Sequence, residues 1–211
     1  MSERLMRDYW GTGRVEAFSD GVFAIAITLL VLEISVPESA FGDLWHGIAE
    51  QWPSYLAFVT SFITIGWIWV AHHGIFRRLQ YANRRVMVIN LLLLMAVSFL
   101  PFPTKLMAEA LHEADATRAA VIFYGAALFA TSLLLSLLWG SVVYDRKLLM
   151  PEVDEKEVRG IAVAATPTIG FYVAIIALAI IAPRVAAFGY VVVAIVGLLR
   201  AYGDQPPPES A

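Results

Sequence analysis

Ser19, Asp20, His72, His73 and Asn90 are polar residues set inside otherwise apolar stretches of this sequence, with Arg14 and Glu16 at the edge of the first stretch. In an apolar setting such groups support two kinds of chemistry. A carboxylate and imidazoles can pass protons between them, the default suspicion for ionisable groups inside a membrane. Hydroxyl, amide, imidazole and carboxylate can instead satisfy one another in a network that fixes helix registry. A metal site is disfavoured, because adjacent His72 and His73 point about 100° apart on a helix and zinc needs further ligands. The chain has no cysteine, so no thiolate site or disulfide is available.

No Ser/His/Asp arrangement, phosphate-binding loop or pair of catalytic carboxylates occurs, so the chain is not read as an enzyme and calls for no cofactor. Of its 211 residues, 59% are hydrophobic and 16% charged, with a mean hydropathy of +0.70. Soluble domains run at about 45–50% apolar and about 25% charged. The composition is that of an integral membrane protein, with the lipid bilayer as its solvent. A net charge of -3 and the lack of a basic block argue against nucleic acid as a partner.

The elements that must position these residues are membrane helices. A spanning helix needs roughly 20 apolar residues. Six runs qualify, the last being short: 15–36, 53–76, 86–107, 119–144, 160–182 and 185–199. They are continuous and lack the two-residue alternation of a membrane barrel. The first is too long for a signal-peptide core and is read as a retained anchor. With the N-terminus inside, the cytoplasmic side receives all but Lys105, Arg118 and Arg184 of the 15 Lys and Arg, which predicts both termini in the cytoplasm. The expected organisation is one six-helix transmembrane channel unit over residues 1–202, without internal repeat, and a disordered Pro-rich tail over 203–211.

At 100° per residue, Phe18, Gly21, Val22, Ile25, Thr28, Leu29, Leu32 and Val36 fall on one stripe of the first helix. Asp20 lies about 140° and Glu16 about 180° from Ile25, so charges and stripe face different neighbours. Depth follows from the helical rise. Asp20 stands about 9 Å beyond Arg14 and Asn90 about 8 Å beyond Arg85, while the histidines lie about one turn above the same edge. Ser19, Asp20, His72 or His73, and Asn90 thus share a level on three consecutive helices, and a common network would satisfy them. This favours a clamp between helices. The alternative is a proton-coupled secondary transporter using Asp20 with His72 and His73.

The stretch "RVEAFSDGVFAIAITLLVLEI" resembles the signature of the transmembrane protein 175 family, endolysosomal potassium channels with bacterial relatives. The resemblance continues through "WVAHHGIFRRL" and "NLLLLMAVSFLPFPTKLM", about half of the chain; the second half is similar only in hydropathy and length. It implies an all-α, six-helix cation channel of non-canonical fold that lacks a re-entrant filter loop and prefers potassium modestly over sodium. It further implies that the first helix lines the pore, with Ile25 as the narrowest layer, Leu29 and Leu32 above it and Thr28 beside it. Arg14, Ser19 and Asp20 then belong to the supporting network. Eukaryotic members carry the unit twice and this chain once, which implies a homotetramer, and the single-repeat form resembles the branch of bacterial plasma membranes.

A ring of Ile25 side chains offers an ion no oxygen in place of its hydration shell, so such a constriction gates by dewetting. Thr28 hydroxyls would add a few coordinating oxygens. Glu33, about 28 Å beyond Arg14, falls at the outer mouth, where with Glu38, Asp43 and Glu50 it can concentrate cations within roughly a Debye length of 8 Å. Pro101 and Pro103 are expected to bend or end the third helix. Trp67, Trp69 and Trp139 are expected between helices, and Trp10, Trp45 and Trp52 at the interfaces.

Overall fold

The computed structural model describes residues 9–111 and 114–203. Arg4 and Arg7, counted above among the inner charges, and the tail from residue 204 lie outside them, as do the side chains of Lys156 and Arg159. Among the described residues eight α-helices are formed: α1 (Thr12–Leu29), α2 (Leu44–Glu50), α3 (Trp52–Phe76), α4 (Arg84–Phe99), α5 (Pro101–Ala110), α6 (Ala114–Tyr144), α7 (Glu155–Ile181) and α8 (Pro183–Gly203). Among the described residues, five helical stretches are long and apolar enough to cross a membrane: Thr12–Glu33, Trp52–Phe76, Arg84–Ala110, Ala116–Tyr144 and Pro183–Arg200. Within α7 the described side chains hold an apolar stretch Ile169–Ile181, those of residues 159–168 lying outside the description.

Two helix boundaries depart from the apolar runs, each for a local reason. The first run continues to Val36, yet the α-helix stops at Leu29 and tightens into a 3₁₀ turn, Leu30–Glu33, closed by Ile34 N–H donating to Val31 O at 3.2 Å. Val36 precedes Pro37, which disfavours helical backbone at the residue before it. Val36 therefore leaves the stripe that a uniform wheel assigned to it. The third run is split. Pro101 and Pro103 have no N–H to give Val97 and Phe99. The Val97 carbonyl accepts instead from Leu100, at 3.1 Å, and α5 starts afresh.

The second half of the chain packs through aromatic residues and glycines. Tyr124, Tyr172 and Tyr190 are fully buried, with the Tyr124 and Tyr190 rings edge-on at 5.2 Å. Tyr190 donates its hydroxyl to Val121 O at 3.1 Å while lying over Gly125, where any Cβ would strike the phenol oxygen. Trp67 on α3 packs likewise on Gly197 of α8, whose Cβ would fall 2.9 Å from the indole nitrogen. Trp67 and Trp139 are interior, and Trp10, Trp45 and Trp52 are exposed; Trp69, expected between helices, is exposed as well.

At the arginine-rich end the connections interlock. Strands β1 (Tyr9–Trp10) and β2 (Ala82–Asn83) pair antiparallel, tying the start of α1 to the α3–α4 loop. Gln80 N–H donates to Leu148 O at 2.8 Å and Met150 N–H to Arg78 O at 2.9 Å, which fastens that loop to the α6–α7 connection. Asn83 caps α4 by accepting from Val86 N–H at 3.0 Å. These ties fix where α1 enters the bundle and how it is rotated.

Candidate functional site

α1 divides lengthwise into a buried and an open side. Val15, Ser19, Phe23, Ala26 and Leu30 face the bundle and are buried. Phe18, Gly21, Ile25, Thr28, Leu29 and Leu32 are exposed on the chain, Ile25 at 61% and Leu32 at 71%. The Thr28 hydroxyl sits 3.0 Å from Ala24 O and 2.9 Å from Ile25 O. Its proton is given to its own helix, which leaves the oxygen to act as an acceptor. α1 is the least buried of the five candidate spans.

The buried side carries a hydrogen-bond chain across three helices. Ser19 donates to Val15 O at 2.8 Å and accepts from Asn90 Nδ2 at 3.0 Å. Asn90 Oδ1 lies 2.8 Å from His72 Nε2. Because the Ser19 proton is already spent, Asn90 must donate to it and present its carbonyl oxygen to His72, which assigns the His72 proton to Nε2. The imidazole stands between Phe23 and Phe76, with ring centroids 5.3 and 4.5 Å away, and its Nδ1 is buried with no partner. All three polar residues are essentially without solvent contact.

Asp20 and His73 belong to a different set of contacts. Trp69 Nε1–H donates to Asp20 Oδ1 at 2.8 Å. His73 Nδ1 stands 2.8 Å from Glu16 Oε1, an ion-pair distance without hydrogen-bond alignment, and its ring stacks on Trp69 at 5.8 Å. Residues four apart on α1, Glu16 and Asp20, thus meet residues four apart on the antiparallel α3, His73 and Trp69. The single network expected for Ser19, Asp20, the histidines and Asn90 resolves into a buried chain and a flank ladder. Asp20, His72 and His73 form no continuous hydrogen-bonded path. Arg14 is exposed and joins neither set.

Sequence reasoning missed Trp69 and Glu16 as partners, although the shared four-residue spacing was a usable signal. It also missed the setting of Glu33, which pairs with Lys105 of α5 at 3.2 Å and is half-buried. Among the described residues no three His, Asp or Glu side chains converge as a metal site would require.

A family model described as "Endosomal/lysosomal potassium channel TMEM175" matches residues 14–101, which hold every residue of both polar sets. A potassium channel of Streptomyces collinus is 46% identical over 149 residues, covering 70% of this chain and 72% of that protein. An endosomal/lysosomal proton channel TMEM175 of Gallus gallus is 34% identical over 148 residues, which is 65% of this chain but 30% of the chicken protein. The solved lysosomal potassium-selective channel TMEM175 homolog from Chamaesiphon minutus superposes with a TM-score of 0.81 at 41% identity, covering 90% of this chain and 97% of that one. A family of channels rather than enzymes is what the matched residues and the matched fold have in common, and this chain belongs to the TMEM175 family.

Proposed function

We propose that the chain is the single-repeat subunit of a homotetrameric cation channel that conducts potassium modestly in preference to sodium. Four copies of α1 surround the axis, Ile25 forms the narrowest ring, and Leu29 and Leu32 extend the apolar passage beside Thr28. The observation that carries this reading is the open stripe of α1, on which Ile25 and Leu32 are uncovered while the opposite side is packed and hydrogen-bonded. A helix held so firmly on one side presents the other in a defined rotation. The potassium channels named among its bacterial relatives support the choice of ion.

In this reading six helices cross the bilayer, with α7 as the fifth crossing, and both termini face the cytoplasm of a bacterium. Arg77, Arg84, Arg85 and Arg146 are exposed at one end, in keeping with the preference for basic residues inside. The apolar ring empties of water when narrow, so an ion meets a desolvation barrier, and potassium sheds water more readily than sodium. The Ser19–Asn90–His72 chain and the flank ladder hold α1 in place and touch no ion.

The deciding experiment is a planar bilayer with potassium on one side and sodium on the other, recording wild type and Ile25→Asn. A potassium-shifted reversal potential that collapses in the variant is expected. Unchanged conductance and preference in an assembled Ile25→Asn tetramer would remove Ile25 from the constriction. Because the chicken relative is named a proton channel, the same bilayers are also run under a pH gradient.

A further inference from the structure

The outer end of α1 is where the passage proposed above loses its regular helix. Leu30–Glu33 is a 3₁₀ turn, and short 3₁₀ stretches at the end of an α-helix are recurrent hinge points. Leu30 within it is wholly buried, whereas Val31 and Leu32 are exposed. Glu33 is the last residue of the turn, and its carboxylate lies 3.2 Å from Lys105 Nζ, with 26% and 47% of the two side chains exposed.

Lys105 projects from an anchored base. The neighbouring Thr104 donates its hydroxyl to Leu100 O at 2.7 Å across the proline break. Its oxygen is 2.7 Å from Ser61 Oγ of α3, which is 2.9 Å from the Tyr124 hydroxyl of α6. With the Thr104 proton spent on Leu100, the protons run one way, from Tyr124 to Ser61 to Thr104. Three helices are thereby joined in a buried knot at the residue next to Lys105. The 3₁₀ turn has no comparable knot of its own.

We propose that Lys105 is a positioning residue of the channel: its ion pair with Glu33 fastens the hinge-like outer turn of α1 to the α3–α5–α6 knot and so sets where Leu32 stands. This rests on the pore reading only for its functional consequence; the latch itself is a statement about the outer turn. It changes the part played by Glu33, whose charge is engaged by Lys105 and is not a free cation collector at the mouth.

The chain has no cysteine, so a spin label on Val31→Cys reports on the turn alone. The label is read in assembled wild type, Lys105→Gln, Glu33→Gln and the exchange Glu33→Lys with Lys105→Glu, with single-channel records of the same proteins lacking the label. Expected are loss of the immobile spectral component and shorter, noisier openings in both single variants, and recovery of both in the exchange. A label equally immobile in wild type and Lys105→Gln overturns the latch, and so does an exchange that recovers nothing. If conductance rises in Lys105→Gln only at low salt while the label is unmoved, Lys105 screens Glu33 and does not position it, which also overturns the proposal. Should the label loosen as expected while Ile25→Asn leaves conduction untouched, the latch stands and the pore reading is what fails.

Discussion

Replacing Asn90 with Leu removes the centre of the buried chain while keeping the branched shape and number of heavy atoms of the side chain. Two interhelical hydrogen bonds are lost, to Ser19 at 3.0 Å and to His72 at 2.8 Å. Such bonds in membranes are worth about 0.6 kcal/mol on average and up to about 1.7, so the pair contributes about 1–3 kcal/mol. His72 is worse placed than Ser19, because its Nδ1 already has no partner and losing Asn90 leaves the whole imidazole unsatisfied. A buried donor stranded in this way costs about 1–3 kcal/mol, which partly overlaps the first figure, and a total of about 2–4 kcal/mol is expected. Unfolding titrations in mixed micelles supply the measurement. The sharper test adds His72→Phe, which removes the stranded donor and places an aromatic ring where Phe23 and Phe76 already flank one. The double variant should be more stable than Asn90→Leu alone by about 1–2 kcal/mol, since deleting both partners is far cheaper than orphaning one. Additivity within about 0.5 kcal/mol would mean that the two residues do not interact, and the three-helix clamp would be refuted.

Three further outcomes follow from other contacts. Gly125→Ala drives a methyl into the Tyr190 hydroxyl and should cost about 1–3 kcal/mol as an overpacked core; pairing it with Tyr190→Phe should restore only part of that loss in the same titration, because the Tyr190 ring and Ile176 still lie 2.8 Å from the new methyl. Asn83→Ala removes the cap on Val86 N–H and should cost about 1 kcal/mol, visible as faster amide exchange in the first turn of α4, while Asn83→Ser, which keeps an oxygen acceptor without setting a second carboxylate against Asp145, should cost less. Trp69→Phe keeps an aromatic ring beside His73 but strips the donor from Asp20, and it should lower the detergent stability of the assembly more than Asp20→Asn does. Equal loss in those two variants would assign the effect to the Asp20 charge rather than to the indole bond.

How much was legible follows from the range of the interaction behind each feature. The level shared by Ser19, His72 and Asn90 could be counted from the helix ends, because the rise per residue is a constant of the backbone. Their separation from Asp20 could not, since it depends on helix rotation, and a few tens of degrees decide whether Asn90 meets Ser19 or Asp20. That rotation is set by distant packing, where Trp67 lies on Gly197 and Tyr190 over Gly125, and by the β1–β2 tie. The broken third helix was visible in Pro101 and Pro103, whereas the early end of α1 was masked by an apolar run that continues past it.

By itself the amino-acid sequence determined a helical membrane protein, five of the six runs read as able to span, the stripe on α1 and the family. These depend on composition, local periodicity and a long motif, all written along the chain. Only the tertiary structure decided that Asn90 spends both ends of its amide between Ser19 and His72, that Trp69 and Glu16 complete the flank, and that Lys105 holds Glu33. Those pairings join residues on different helices, and their partners are selected by crossing angle and rotation to within a few tenths of an ångström, a precision that hydrogen bonds demand and sequence spacing does not carry.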